Sequence, residues 1–403
     1  MNWQALLDSN IQDFIFRHAQ DDVKALALQK PPHKDWPIPL ILDQIKARQK
    51  AQIKMPGWIV QKDIIFPAPD LIEQASSEAC ALFKSSIVQG DAFVDLTAGT
   101  GADCFAFLHS FRSGIAIEQD TEAAEILSHN ASCFNQAEQL KVINTNAETY
   151  IDHITQTDLI FLDPQRRDDK RKGKFDLQAC DPDIIALLPK LKTKTRKVLL
   201  KTSPVLDIYK TLNDLSHVTD VYIVQYRGDC KELLFLIDFD TEIACDDVTI
   251  NAIKINDHGQ AIDSFTFNMG QERRLQSPLS LPLKYIYEPD PAFQKSGGYN
   301  VIADRYNLKK LHANTHLYTG NTLIEDFPGR RFLCEDQCAA NKKDVKKILP
   351  DQKASITVRN FPSTPDQLRK KLSVRDGGNV TLFACTLSDE RKILLKCIKI
   401  QQN

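Results

Sequence analysis

The chain has 403 residues, enough for two or three domains, and its 42% hydrophobic and 26% charged residues are ordinary globular values. Its composition excludes a helical membrane protein, since no apolar run approaches the roughly 18 residues that a span needs. The ten cysteines are scattered and the N-terminus lacks the pattern of an export signal, so we expect reduced thiols in a cytoplasmic protein.

Charge is distributed unevenly along the chain. Residues 281–403 hold 21 Lys and Arg against 13 Asp and Glu, a net charge of +8, whereas the rest of the chain holds 30 against 40, a net charge of −10. A basic C-terminal part on a mildly acidic body favours a polyanionic partner, although solubilising lysines on a solvated face would give the same count.

Residues 1–85 are predicted to form an N-terminal helical segment. Apolar residues recur at helical spacing in residues 18–29 and again in residues 40–54, and four prolines separate the two stretches. Residues 70–87 resemble one capped helix, with Asp70 at the cap and Glu73 three positions later. No catalytic pattern occurs here, so the segment could be a substrate platform or a lid on the sheet that follows.

Residues 86–245 alternate regularly between strand-like and helix-like stretches. We predict strands at residues 92–97, 114–118, 140–145, 158–163, 197–202, 220–225 and 232–238, with helices notably at 121–133 and 181–192. The fold class is therefore α/β: a Rossmann-like, doubly wound sheet of seven strands, mainly parallel and finished by a hairpin.

The pattern changes in the C-terminal part of the chain. Residues 246–280 are predicted to be a β extension or linker, and residues 281–324 to hold one strand, one helix and a second strand. Residues 325–403 show the order β-α-β-α-β-β. We expect an α+β module after the main sheet.

Polar residues occur at the carboxyl ends of consecutive predicted strands, where doubly wound sheets bind ligands. Asp95 ends the first strand and is followed by a turn with Thr97, Gly99, Gly101 and Asp103. Glycine lets the backbone N–H groups of such a turn approach a ligand. Any one acid could instead cap a helix, but the repetition at four strand ends favours a nucleoside cofactor site.

The remaining members of this set have separate expected roles. Glu118 ends the second strand, where a carboxylate can accept both hydroxyls of a ribose, and Asn146 ends the third, near an adenine edge. Asp163 and Pro164 end the fourth strand, at the expected reaction centre.

These stretches resemble the motifs of class I S-adenosylmethionine-dependent methyltransferases over residues 70–240: VDLTAGTGAD the first motif, IAIEQD the acidic second and NTNAE the third. The resemblance implies S-adenosylmethionine as cofactor. The cofactor-binding residues would be Asp95, Thr97, Gly99, Gly101, Asp103, Glu118, Asn146 and Asp163. The turn departs from the G-x-G-x-x-G fingerprint, which makes a nicotinamide enzyme the weaker interpretation.

The fourth motif, FLDPQRR, resembles the D-P-P-x motifs of nucleic-acid methyltransferases, which implies that Asp163, Pro164 and Arg166 are catalytic. Gln165 replaces the second proline, and Arg166 stands where an aromatic ring usually stacks on the target base, although a guanidinium can also stack. The RNA 5-methyluridine methyltransferases carry a cysteine nucleophile after the fifth strand. The corresponding stretch of this chain, KTSPVL, has Ser203 there and no cysteine. We therefore expect direct methyl transfer to a nitrogen or oxygen, without a covalent cysteine intermediate.

The whole chain resembles a bacterial methyltransferase family that ends in a ferredoxin-like unit (here residues 281–324) and a THUMP-like domain (residues 325–403), through KLHANTHLY, FPGRRF and ITVRNFP among other motifs. THUMP domains in related enzymes bind tRNA, so the resemblance implies structured RNA, tRNA above all, as partner, with no DNA and no membrane. The expected RNA-binding residues are Arg167, Lys170, Arg171, Lys342, Lys343, Lys346, Arg369, Lys370 and Lys371.

Other functions remain open from the sequence. The enzyme could methylate a protein or small molecule, with the C-terminal module as a lid, or the chain could be a non-catalytic RNA-binding protein with this fold. The pairs His312/His316 and Cys334/Cys338 are each four residues apart, but neither fits a recurrent zinc-site spacing, and we expect no metal.

Overall fold

The computed structural model describes residues 3–166 and 177–401. The chain divides into two compact units. The first comprises residues 1–227, 231–243 and 254–262, and the second comprises residues 228–230, 244–253 and 263–403. Within the described ranges, no helix is long and apolar enough to cross a membrane.

The first unit begins with short helices, as predicted for the N-terminal segment. They are α1 (Ser9–Arg17), α2 (Val23–Ala27), α3 (Ile38–Lys54), α4 (Pro56–Ile59), α5 (Pro69–Gln74) and α6 (Glu78–Ile87). The prediction of one helix over residues 70–87 was wrong. Pro69 starts α5 after the N-cap Ala68, so Asp70 lies in the first turn, and Ser77 caps α6 by accepting the Cys80 N–H at 3.2 Å.

The seven predicted strands are present among the eleven strands that the structure describes in residues 90–268. The eleven strands are β1 (Gly90–Asp95), β2 (Phe111–Glu118), β3 (Leu140–Asn144), β4 (Thr157–Leu162), β5 (Gln165–Arg166), β6 (Cys180–Asp181), β7 (Thr195–Thr202), β8 (Val218–Tyr226), β9 (Asp229–Asp238), β10 (Thr249–Ile255) and β11 (Ala261–Asn268). The helices of this region are α7 (Ala102–Phe107), α8 (Thr121–Cys133), α9 (Ala147–Tyr150), α10 (Ile184–Leu191) and α11 (Ile208–Asp214).

The main sheet has the order β11-β10-β8-β9-β7-β4-β1-β2-β3, nine strands where seven were predicted, because β10 and β11 join it. β3, β2, β1, β4 and β7 are parallel neighbours, whereas β9 runs antiparallel to β7. The order reverses between β1 and β4, so the carboxyl ends of these two strands form the switch point at which such sheets bind ligands. β5 pairs with β6 in a separate two-stranded ribbon.

Side-chain amides fix the N-terminal segment to this unit. The Asn130 amide on α8 accepts the Ile65 N–H at 3.1 Å and donates to the Ile65 carbonyl at 2.8 Å. The ring of Trp58 packs edge-on against Phe105 of α7 and Phe134, 5.3 Å and 5.2 Å between centroids. The segment therefore covers the helices that follow β1 and β2.

The second unit contains α12 (Met269–Arg274), β12 (Tyr285–Pro289), α13 (Pro291–Lys295), α14 (Tyr299–Arg305), β13 (Lys309–Lys310), β14 (Tyr318–Gly320), β15 (Gly329–Ala339), α15 (Lys342–Ile348), β16 (Ser355–Arg359), α16 (Pro365–Leu372), β17 (Val380–Thr386) and β18 (Lys392–Lys399). Its sheet has the order β13-β14-β12-β15-β18-β17-β16. The single helix expected between β12 and β14 is divided at Gly297, which has a φ of +77°. The predicted order β-α-β-α-β-β over the last part of the chain is confirmed.

Side chains on β17 alternate between two cores. Leu382 and Ala384 pack with Leu368 of α16 and Val345 of α15. Phe383 and Cys385, the residues between and after them, pack into the core on the other face of the sheet. Both helices therefore lie on one face of the second sheet and keep their polar residues toward solvent.

Candidate active site

The turn after β1 has the backbone conformation that its glycines permit. Gly99 has a φ of +53° and Gly101, the N-cap of α7, a φ of +84°. A Cβ at Gly101 would lie 2.2 Å from Leu127 Cδ1, so a side chain there would force Leu127 of α8 to shift. Of the described atoms, a Cβ at Gly99 would meet only the Thr97 carbonyl oxygen, at 4.0 Å, so this side of the turn is open as far as the structure describes it.

Asp95 holds the turn together from inside. Its side chain is buried, and its carboxylate accepts the Thr97 N–H at 2.9 Å and the Cys104 S–H at 3.1 Å. Burial raises the pKa of Asp95 to about 7, and the two donors only partly oppose this shift. The structure thus gives Asp95 a role in shaping the turn, where a direct cofactor contact was predicted.

Glu118 links the ends of β1 and β2. Its carboxylate accepts the Gly99 N–H at 2.8 Å through one oxygen and the Asp120 N–H at 2.8 Å through the other. The Gly99 N–H was expected to face a ligand and instead orients this carboxylate. The outer lone pairs of a half-buried carboxylate can still accept ribose hydroxyls.

Asn146 lies two residues beyond the end of β3 and is exposed. Its side-chain oxygen caps α9 by accepting the Thr149 N–H at 2.8 Å. The side-chain N–H2 group remains a donor, which is the group that an adenine ring nitrogen would need.

Asp163 and Pro164 follow β4 directly, beside the turn after β1. The Asp163 N–H donates to the Thr97 hydroxyl at 2.7 Å, and that hydroxyl lies 3.4 Å from the Asp95 carboxylate. Thr97 therefore sets the distance between the predicted cofactor turn and the predicted reaction centre. The Asp163 side chain is 32% exposed, so one edge of its carboxylate is accessible to a substrate.

Lys201 is the main residue that the sequence analysis missed. It lies near the end of β7, and its ammonium group donates a hydrogen bond to the Asp163 carboxylate. The Lys201 side chain is only 11% exposed. The available signal was a lysine placed directly after the apolar residues 198–200, inside a predicted strand.

A second buried lysine lies behind this pair. Lys84 of α6 donates to both carboxylate oxygens of Glu232, at 2.7 Å and 2.8 Å, and forms an ion pair with Asp103 at 3.1 Å. The Ser76 hydroxyl also donates to Asp103, at 2.7 Å. Asp103 was predicted to contact the cofactor, but in the structure its carboxylate is buried in this ion pair instead.

The ribbon of β5 and β6 places a thiol close to the fourth motif. Arg166 pairs with Cys180 in its register, although the two are 14 positions apart in the chain. Of Arg166 only the backbone is described. The other predicted residues of this loop, Arg167, Lys170 and Arg171, lie outside the described residues.

A polar cavity of about 880 Å³ occupies the opposite edge of the main sheet, at the amino ends of β1, β4 and β7. None of the predicted cofactor residues lines it. Its charged residues are engaged locally: Asp158 accepts the N–H groups of Asp91 and Ala92, and Arg196 pairs with Asp240 at 3.0 Å. It therefore offers no alternative catalytic centre.

The predicted RNA-binding residues of the second unit lie on α15 and α16. Lys342, Lys343 and Lys346 are exposed along α15, as are Lys370 and Lys371 on α16. Arg369 differs, because its guanidinium bonds Asp366 at 2.9 Å and Asp376 at 2.8 Å, which compensates its charge.

The histidine and cysteine pairs considered for zinc do not converge. His312 bonds Glu390 at 3.1 Å, whereas the ring of His316 stacks on Tyr299 at 3.6 Å. Cys334 faces Cys397 across the sheet. In the parts of the chain that the structure describes, no three His, Cys, Asp or Glu side chains are grouped as a metal site would require.

Comparisons with known proteins agree with this architecture. Three family models match, described as RNA cap guanine-N2 methyltransferase (residues 90–240), ferredoxin-like domain (residues 285–328) and THUMP domain-like (residues 329–399). A search of curated proteins found no match.

Among solved structures, one named "putative methyltransferase from Porphyromonas gingivalis W83" is 30% identical to this chain, covers 99% of both chains and has a TM-score of 0.86. Partial likenesses include TrmK from M. capricolum with S-adenosyl-homocysteine (12% identity, 40% of this chain, 68% of that chain, TM-score 0.31) and an rRNA methylase from Streptococcus thermophilus (12%, 39%, 92%, 0.30). These two are too weak to bear on function. The near-complete match shows that the chain belongs to the family of S-adenosylmethionine-dependent methyltransferases in which the catalytic domain is followed by a ferredoxin-like and a THUMP-like domain.

Proposed function

We propose that this methyltransferase modifies a structured RNA, with tRNA as the foremost candidate, by direct transfer of the methyl group. The observation that carries the proposal is the contact between Asp163 and Thr97, which joins the fourth motif to the cofactor turn. The THUMP-like match over residues 329–399 and the exposed lysines of α15 support RNA as the substrate. An RNA substrate of this kind favours a cytoplasmic location.

The residues of the chain have separate roles in this proposal. Asp95, Thr97, Gly99 and Gly101 shape the turn that holds the methionine part of the cofactor, and Asp103 anchors α7 behind it. Glu118 accepts the ribose hydroxyls, and Asn146 meets the adenine edge. When bound, S-adenosylmethionine supplies a methyl group on a positively charged sulfur, which needs only a well-placed nucleophile.

Asp163 and Pro164 orient that nucleophile at the end of β4. The Asp163 carboxylate has one edge available to accept a hydrogen bond, and the Pro164 carbonyl is a second acceptor. Arg166, Arg167, Lys170 and Arg171 would bind phosphates next to the target.

No cysteine takes part covalently in this proposal. Burial raises the pKa of Cys80 to about 12 and that of Cys104 well above the ordinary thiol value, which makes both thiols poor nucleophiles. Cys180 opposite Arg166 is the thiol that a covalent mechanism would use. We expect Cys180→Ser to retain methyl transfer, and its complete loss with a folded protein would favour covalent pyrimidine methylation instead.

The test is transfer of radiolabelled methyl from S-adenosylmethionine to total RNA taken from a strain that lacks the gene. We expect label in a single nucleoside, and none in RNA from the parent strain, where the site is already filled. Asp163→Ala should abolish transfer while calorimetry still shows cofactor binding. If Asp163→Ala lost only cofactor binding, its role at the reaction centre would be refuted.

Two other functions correspond to other outcomes. Label in protein or small molecules, with none in RNA, would show that the C-terminal module serves a different substrate. Absence of any cofactor binding would favour a non-catalytic RNA-binding protein. The open side of the turn at Gly99 argues against this last outcome, because among the residues that the structure describes no side chain lies within 4 Å of a Cβ placed there.

A further inference from the structure

Buried side chains of alternating charge extend from α6 to the end of β4. Lys84 bonds Glu232, and Lys201 bonds Asp163. Lys84 is fully buried, and Glu232 is 2% exposed. Of these four side chains Asp163 is the most exposed, so the series ends at the position where the proposed function places the methyl acceptor. The inference below rests on that proposed function.

Lys201 stays positively charged in this setting. Burial alone would lower the pKa of Lys201, but the negative charges of Asp163 and Glu232 outweigh burial and raise it. A cation in contact with the motif's carboxylate is therefore a fixed property of the site. Since Lys201 holds its proton, it cannot serve as the proton acceptor, and Asp163 is the group left for that task.

The cation distinguishes between two kinds of acceptor. A nitrogen nucleophile gains positive charge as it takes the methyl group, and the Lys201 ammonium ion neutralises the Asp163 carboxylate that would otherwise stabilise this charge. A hydroxyl oxygen gains negative charge as its proton leaves, so the same ammonium ion stabilises its transition state. The site thus suits an oxygen acceptor better than an exocyclic amine.

The residues of the fourth motif also favour an oxygen acceptor. Methyltransferases that act on a flipped base hold its ring by stacking. Here Gln165, which follows Pro164, is exposed and pairs through its backbone with Asp181 in the ribbon of β5 and β6. Phe161, at the start of the motif, is buried in the core. Asp163, Pro164 and Gln165 carry no aromatic ring that could stack on a base, whereas a ribose hydroxyl needs none.

We propose that the methyl acceptor is a hydroxyl oxygen of RNA, namely a ribose 2′-hydroxyl. As the oxygen forms its bond to the methyl carbon, the O–H proton moves to the Asp163 carboxylate. The carbon–sulfur bond breaks with its electron pair going to sulfur, so the sulfonium becomes a neutral thioether. Lys201 stabilises the partial negative charge on the oxygen, and the negative charge of Glu232, which Lys84 holds in position, keeps Lys201 protonated. The accessible edge of Asp163 then releases the proton to solvent.

Alkaline hydrolysis of the labelled RNA tests this directly. A 2′-O-methyl group blocks cleavage at its own phosphodiester, so label should appear in alkali-resistant dinucleotides. The same nucleotide should be present in RNA from the parent strain and absent from the strain without the gene. Label in mononucleotides with a methylated base would overturn the hydroxyl acceptor and leave RNA methylation standing. No label in any RNA would overturn both.

Variants of Lys201 test its role. Lys201→Met should lower kcat by about 100-fold or more, the usual effect of removing a group that stabilises an oxyanion, with the Kd for S-adenosylmethionine and the KM for RNA nearly unchanged. Lys201→Arg should restore part of kcat because it keeps the charge. The control is Lys197→Met, a half-buried lysine at the other end of β7, which should retain full activity.

An unchanged kcat in folded Lys201→Met would refute the assigned role. If Lys201→Met failed to fold, Lys201→Arg would decide, because an arginine that folds and shows no kcat above background would contradict a purely charge-based role.

Discussion

Substitution of Gly101 by alanine should destabilise the catalytic unit more than its left-handed backbone alone explains. At a φ of +84° a side chain costs about 1–2 kcal/mol. The added Cβ would also lie 2.2 Å from Leu127 Cδ1, which must shift, and 3.1 Å from Phe105 Cε2, which is a tight contact. Overpacking of this kind costs typically about 1–3 kcal/mol, so we expect a total of roughly 2–5 kcal/mol.

Gly228 provides the matched control. It has the same φ of +84°, but a Cβ there would meet no atom of the described chain within 4 Å. Gly228→Ala should therefore show the backbone cost alone, and the difference between the two variants measures the overpacking against α8.

Urea denaturation of both variants, followed by circular dichroism, gives the two losses in unfolding free energy. Calorimetry with S-adenosylmethionine should show weaker binding for Gly101→Ala, because a shift of Leu127 moves the turn. If Gly101→Ala lost no more stability than Gly228→Ala, the packing argument would be refuted.

Three further variants probe charge. Lys84→Met leaves Glu232 buried without its partner and should cost about 3–5 kcal/mol in urea unfolding; a second substitution, Glu232→Gln, should recover part of it. Because burial raises the pKa of Asp95, the folded state holds the carboxyl proton more tightly than the unfolded state does. The free energy of unfolding therefore falls as the pH rises from about 4 to about 7. Asp95→Asn should remove that fall, on the order of 4 kcal/mol, and equal slopes in both proteins would contradict it. Alanine at Lys342, Lys343 and Lys346 should reduce the salt dependence of RNA binding by about 0.9 log units per lost phosphate contact; an unchanged slope would remove α15 from the interface.

Local sequence patterns predicted most of the fold. The strands β1, β2 and β4 are short apolar runs that end at an acid or directly before one, and this pattern survives in any tertiary context because it reflects burial in the middle of the sheet. The helix expected at residues 121–133 has those bounds in the structure. The helix expected at residues 70–87 is divided, because extended backbone at Ala75 interrupts a stretch whose apolar spacing is continuous.

The candidate site could be predicted only in part. Asp95, Thr97, Gly99, Gly101 and Asp163 are visible as residues at strand ends, since the parallel strands of a switch point must deliver them to one edge. Their hydrogen bonds were not predictable. The N–H of Gly99 orients Glu118 because a left-handed turn directs it there, which no spacing in the sequence reveals.

The charges around Asp163 were decided by the tertiary structure alone. Lys84 and Glu232 are 148 positions apart, and their contact requires α6 to pack beside the antiparallel β9. Lys201 reaches Asp163 because β7 lies next to β4 in the sheet, although 38 positions separate the two residues. The sequence by itself determined that strands of this kind end in a cofactor turn and an Asp-Pro motif. Only the packing of distant segments could surround that motif with buried lysines, because an ion pair depends on distance in space and leaves no periodic pattern along the chain.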